Sequence, residues 1–278
     1  MANTTYALIS SWVNPILEGV EFYLQKQTFM PGIVQVYSDR TGMVVRKGDK
    51  YSAGTVATLA DDTDISTFQT ISRTAFGTLT PAEVGDAFLI TDQRLESDNA
   101  DNIMQDAMEH IGNAMAIHLD TNLLGDMASL TGGSVGTAGG SLTWANIAGA
   151  QATLRASGAM GPYNLVVHEY AWYDLAIQSD NTMPLVVEES LRNANSFYIG
   201  TFGDMRIYTT GVLGTGTAVV NGLFKPQAIA YDIRRPLRVR LQRDESRRAT
   251  EIVWTHVYAH GVWRADMGCK IVSDASAP

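Results

Sequence analysis

The sequence predicts an α+β fold, and three observations carry that expectation: strand-like runs crowd residues 33 to 90, one long amphipathic helix pattern follows, and two long alternating runs lie near the end. Hydrophobic residues make up 45% of the 278 and charged residues 18%, so a sizeable core is available and a disordered chain is excluded. Each element can be justified in order. Leu8, Trp12, Ile16, Val20 and Tyr23 recur at steps of three and four, with Asn14 and Pro15 suited to an N-cap and first turn, which predicts a short helix within residues 8–25. From Ile33 to Ile90 the text is β-like and punctuated by Gly42, Gly48 and Gly54 and by the acids Asp61, Asp62 and Asp64. Too few core-type residues lie between Gly42 and Asp64 for a compact unit, so this stretch predicts a long, protruding hairpin.

The strongest helical signal comes next. Met104, Met108, Ile111, Met115, Leu119 and Leu123 repeat at three or four after the capping pair Ser97 and Asp98, predicting a helix over 98–127. At 1.5 Å per residue that is a strut of roughly 45 Å. The glycine-rich run 131–140 reads as a flexible break. Beyond it helix and strand alternate: helices at 144–156, 171–178 and 184–193, with strands at 163–168, 205–209 and 217–221. This is a mixed unit of about ninety residues, large enough for a subdomain. Gly211, Gly214 and Gly216 read as a hairpin tip within it. Leu237, Val239 and Leu241 then alternate with Arg238, Arg240 and Gln242, and a polar turn leads to a second long strand, 250–262. A short strand over 269–273 closes the pattern.

Charge narrows the function classes. With 29 acids against 20 basic residues the net charge is -9, which argues against a nucleic-acid clamp. Yet Arg234, Arg235, Arg238, Arg240, Arg243, Arg247 and Arg248 fall within one short stretch. Three readings stand for this block: a solvated strand face, ion pairs with a neighbouring copy, or contact with DNA. The lone Cys269 excludes an internal disulfide framework. Neither a signal peptide nor a membrane span is legible, so a soluble chain made inside the cell, without a membrane partner, is expected.

Chemical motifs are weak. Gly132 to Gly136 fits the G-x-S-x-G spacing around Ser134, but a nucleophile elbow needs a strand before it and a helix after it. A hinge is the better reading. His256 and His260 lie on one strand face with Tyr258 between them, too far apart to share an ion, and Asp61 to Asp64 lacks the glycine and terminal glutamate of a calcium loop. The methionines at 104, 108 and 115 read as core packing. No catalytic residue, cofactor or metal is expected.

The order of parts carries a resemblance. A short arm, an extended β-loop, a long helix, a glycine-rich break, a mixed unit and a long terminal hairpin follow one another. Near the end stand Ala230-Tyr231-Asp232, Arg235-Pro236-Leu237-Arg238-Val239, the run Arg243 to Glu251, then Tyr258, Gly261 and Ile271 to Ala275. This arrangement resembles the major capsid proteins of tailed bacteriophages (Caudovirales-type) with the HK97-like fold. The resemblance implies an N-arm over 1–40, an E-loop with flanking P-domain strands over 41–92, P-domain with the spine helix over 93–141, an A-domain over 142–229 and the P-domain hairpin and C-terminus over 230–278. It implies hexamers and pentamers of this chain forming an icosahedral head around double-stranded DNA, assembled in the host cytoplasm, with the E-loop lying across a neighbour. A portal protein and a decoration protein are further implied partners. About forty residues precede the E-loop, so a separate scaffolding protein is expected rather than a fused one. Lys47 and Lys50 are available for the isopeptide crosslink of some relatives, but no asparagine follows Asp232, so no such crosslink is expected. The candidate contacts between copies are Asp61, Asp62 and Asp64 with Arg235, Arg238, Arg240, Arg243, Arg247 and Arg248. An encapsulin-like nanocompartment shell is the alternative function.

Overall fold

The computed structural model describes residues 28–52, 68–97, 100–177 and 197–278, together with 16, 19, 20, 54, 56, 58 and 61. The elements run β1 (Gln35–Tyr37), β2 (Arg46–Tyr51), β3 (Arg73–Leu79), β4 (Ala82–Thr91), α1 (Asp92–Ser97), α2 (Ala100–Gly125), β5 (Ser134–Gly136), α3 (Trp144–Ala156) and β6 (Tyr163–His168). They continue with α4 (Glu169–Ile177), β7 (Tyr198–Phe202), β8 (Met205–Thr210), β9 (Val219–Phe224), β10 (Ile229–Asp244), β11 (Ala249–Val262) and β12 (Gly268–Ser273). The helix expected over 184–193 lies outside the described residues, as does most of the one over 8–25. Of the latter, Ile16 and Val20 are buried in the first core.

That core is organised by α2. Ile103, Ala107, Ile111, Met115, Leu119 and Leu123 stand four apart, so they form one stripe, and all are buried. With 26 residues the helix is about 39 Å long. Its stripe shares one core with Tyr231, Leu237, Val239, Ile252 and Trp254 of the β10–β11 hairpin. This hairpin is the centre of a four-stranded sheet ordered β1-β10-β11-β4. Strand alternation divides its faces: Leu237 and Val239 point inward while Arg238, Arg240 and Gln242 are exposed. Register shifts fall between Ile233 and Arg238, around Pro236, which has no N–H to give to the ladder.

The second core belongs to a six-stranded sheet ordered β5-β12-β9-β6-β8-β7. Its central β6 is buried at every position, and α3 and α4 add Ile147, Leu154 and Leu175 to the same core. The Thr143 hydroxyl accepts the Asn146 N–H at 3.2 Å and so starts α3 where the sequence breaks from glycine to apolar spacing.

Two expectations are corrected. The run 131–140 is not a loose hinge, because Ser134 to Gly136 form β5 and pair in parallel with Lys270 to Val272 of β12. Its glycines serve close approach: a Cβ on Gly132 would stand 2.6 Å from the Asp266 carbonyl, and one on Gly136 would stand 2.2 Å from the Val272 carbonyl. Residues 211–216 are not a hairpin tip, since β6 lies between β8 and β9 and the loop therefore crosses the end of β6. The last strand, β12, sits in the six-stranded sheet between β5 and β9. Periodicity identifies a strand without naming its partner.

Gly136 adopts φ +81, so replacing it with alanine adds backbone strain to the carbonyl clash. We expect Gly136→Ala to lower unfolding free energy by about 2 kcal/mol, read as a lower urea midpoint at unchanged slope. An unchanged midpoint would mean that β5 contributes nothing to the sheet.

Candidate assembly surfaces

Among the described residues, the β2–β3 hairpin meets the body at its base. Phe76 meets Trp263 edge to face at 5.2 Å, and Arg264 lies over the Phe76 ring. Gly48 and Gly77 admit the Trp263 indole, which a Cβ at either position would strike. Leu79 is buried with Ala230 and Ala259 in a small third core. Farther out the hairpin carries apolar side chains into solvent: Tyr51 is 69% exposed, Val56 98%, Phe68 85% and Ile71 77%. A two-stranded sheet has no second layer to cover such residues. The described residues of this segment beyond its base are therefore exposed, as expected of a projecting hairpin.

Asp61 is an exposed turn residue, while Asp62 and Asp64 lie outside the described residues. The arginine block splits into two groups. Arg235 pairs with Glu83 and also donates to Thr255 at 3.2 Å. Asp92 grips Arg243 through two bonds of 2.6 and 2.7 Å, so the Arg243 side chain holds the Asp92 carboxyl below its ordinary value. Arg247 reaches Asp244 at 3.5 Å and Glu251 at 3.9 Å. By contrast Arg238 and Arg240 are exposed and form no ion pair among the described residues. Arg248 is exposed at the hairpin turn with φ +48.

Sequence reasoning missed a buried charge cluster beneath this strand. Asp232 accepts from Arg46 Nε at 2.7 Å and lies 2.8 Å from Arg234 Nη2. Both the Asp232 and Arg234 side chains are wholly inaccessible. The Arg234 contact has ion-pair distance without hydrogen-bond geometry, so its guanidinium nitrogens have no hydrogen-bond partner among the described residues. Nothing in the text of the chain connects position 46 with position 232; only the parallel pairing of β1 with β10 brings that segment alongside.

The histidines behave as the strand reading expects. His256, Tyr258 and His260 stack along one face of β11, with ring centroids 5.2 and 6.0 Å apart. His256 shares a 3.0 Å hydrogen bond with the Tyr231 hydroxyl, and burial, aided by the Arg235 charge, pushes its pKa down to about 4. His260 meets Asp126 at 2.9 Å. On α2 the buried Asp120 accepts the Phe29 and Met30 backbone N–H groups at 3.4 and 3.3 Å, and burial pushes it up to about 7.

A projecting hairpin, a long helix under a four-stranded sheet and a separate six-stranded mixed unit together define the HK97-like fold. Solved structures agree. The protein resembles "Capsid of Ralstonia phage GP4" with a TM-score of 0.69 at 12% identity, covering 92% of this chain and 93% of that one. For "Mycobacterium phage Che8" the TM-score is 0.67 at 20% identity, covering 88% and 91%. For "Capsid structure of the Cyanophage P-SCSP1u" it is 0.63 at 13% identity, covering 91% and 90%. No curated protein matches in sequence. The chain belongs to the phage capsid protein family, whose sequence model matches residues 75–271, from β3 through β12.

Proposed function

We propose that this capsid protein is the major subunit of an icosahedral head, tiling as hexamers and pentamers around double-stranded DNA and doing no catalysis. The observation that carries the reading is the hairpin arm, whose exposed Tyr51, Val56, Phe68 and Ile71 need a surface that its own subunit does not supply. A second copy is the partner that repetition makes available. On this reading residues 1–40 are the N-arm, 41–92 the E-loop and its flanking strands, 93–141 and 230–278 the P-domain, and 142–229 the A-domain, with β12 shared into the A-domain sheet. The free arginines Arg238 and Arg240 are the first candidates for ion pairs between copies, with Arg248 at the hairpin turn a further one. The acids Asp61, Asp62 and Asp64 are their complement. Arg235, Arg243 and Arg247 join such contacts only by exchanging or sharing the carboxylates they already hold. A separate scaffolding protein, a portal protein and a decoration protein are the other partners of such a head. Assembly belongs in the host cytoplasm and the finished subunit in the virion.

Electron microscopy of the purified protein tests this directly. Closed shells or rings of capsomers are expected, and the double substitution Arg238→Glu with Arg240→Glu should abolish them while leaving the thermal melt in place. A monomer that persists at high concentration, with a co-expressed scaffold or without, would refute the shell.

A further inference from the structure

We propose that residues 29–37 are a strap tying α2 and the four-stranded sheet to the six-stranded sheet, and that the buried Asp120 carboxyl is its latch, which lets the strap open once it gives up its proton. Such a device does not depend on the shell reading. Toward the six-stranded sheet, the Phe29 ring stacks on Phe197 at 4.8 Å and on Tyr208 of β8 at 6.1 Å, and the Ile33 carbonyl accepts from Asn164 Nδ2 of β6 at 2.9 Å. Toward α2, Phe29 and Met30 give their backbone N–H groups to Asp120 at 3.4 and 3.3 Å. Toward the four-stranded sheet, Gln35 to Tyr37 pair with Ala230 to Asp232 of β10. A 3-10 turn at Met30–Gly32 folds the chain between these anchors, closed by the Ile33 and Val34 N–H groups on the Met30 carbonyl.

Asp120 is the anchor that ionisation weakens. It is 2% exposed, and its carboxyl forms no ion pair among the described residues. The Met30–Gly32 turn carries no ionisable side chain. The other elements around it bring Tyr198 of β7, Arg206 and Tyr208 of β8, Asp126 beyond the end of α2, and Tyr258 and His260 of β11, with His118 on α2 itself. Of these, His260 is engaged by Asp126, and Asn122 joins His118 to Tyr258. None supplies Asp120 with a counter-charge, so its two long N–H bonds stand alone against burial. Burial is the larger influence and pushes the carboxyl up to about 7. Opening the strap lets water reach the carboxylate and returns it to its ordinary 3.8. The closed strap is therefore favoured in full at low pH and loses ground as pH rises from about 4 to about 7.

Hydrogen exchange of the unassembled full-length chain, read by mass spectrometry and corrected for the intrinsic base catalysis of exchange, tests this. Opening of residues 29–37 is expected to grow about fiftyfold between about pH 5 and about pH 7, as a group titrating at about 7 closed and 3.8 open requires, while β6 keeps its protection. Asp120→Asn keeps an acceptor but cannot ionise, and should flatten this rise. Asn164→Ala removes a hold that does not titrate, so it should raise opening by a similar factor at both pH values and leave the rise in place. A flat profile in the parent, a rise that survives in Asp120→Asn, or a loss of protection shared equally by β6 would each overturn the latch. Should Asp120→Asn fail to fold, the parent decides: a rise confined to this segment upholds the proposal, and a flat profile ends it.

Discussion

Replacing Asp232 with asparagine is expected to lower unfolding free energy by roughly 3 to 5 kcal/mol, because it strips the shared counter-charge from two buried guanidiniums. Arg46 Nε and Arg234 Nη2 both lie within 2.8 Å of the Asp232 carboxylate, and the Arg234 side chain is wholly inaccessible. Arg46 keeps Asp39, but Arg234 keeps no partner among the described residues. The companion variant Asp232→Asn with Arg234→Met removes the stranded charge and should recover most of the loss, since an apolar replacement of a buried ion pair is often neutral. Urea denaturation of the unassembled protein measures both. A single-variant loss under about 1 kcal/mol would show that solvent reaches the cluster and screens it.

The second large effect is a pair of opposed pH responses. Asp120, raised by burial to about 7 from 3.8, contributes stability that is present at low pH and lost as pH rises from about 4 to about 7. His256, lowered by burial to about 4 from 6.5, contributes stability that is present at neutral pH and lost as pH falls from about 6.5 to about 4. At 1.36 kcal/mol per unit these amount to about 4 and about 3 kcal/mol, of opposite sign across nearly one window. Each masks the other in the native chain. Asp120→Asn should therefore gain stability relative to the parent as pH rises from 4 to 7, whereas His256→Gln should gain relative to the parent as pH falls through the same range. Denaturation series at several pH values read the two slopes; parallel curves for parent and both variants would disprove the assignment.

What the sequence made legible was whatever rests on local period. The α2 stripe from Ile103 to Leu123, the alternation of Leu237 and Val239 with Arg238 and Arg240, and the limits of α3 and β6 all follow from side-chain spacing along one segment. What escaped depends on which distant segment comes alongside. Gly132, Gly133 and Gly136 have the same composition as a linker, but Asp266, Cys269 and Val272 press on them and make them a packed strand. Arg234 is one arginine among seven in the text, and only the fold separates it, buried on Asp232, from its exposed neighbour Arg238. The candidate contacts were likewise readable as charge but not as pairing, because Glu83 and Asp92 lie far upstream in sequence of Arg235 and Arg243, the arginines they hold.

The position of β12 sets a timetable for synthesis. Its neighbours in the sheet, β5 and β9, have no direct ladder with each other, so an emerging polypeptide that has not yet reached Ser273 carries an open slot through its second core. Bridging residues 134 and 270 is among the most sequence-distant closures in the chain, and such closures come late. Translation thereby imposes a delay: a truncated product on the ribosome lacks a finished six-stranded unit, and only a chain read through its twelfth strand has that surface to offer to its fellows.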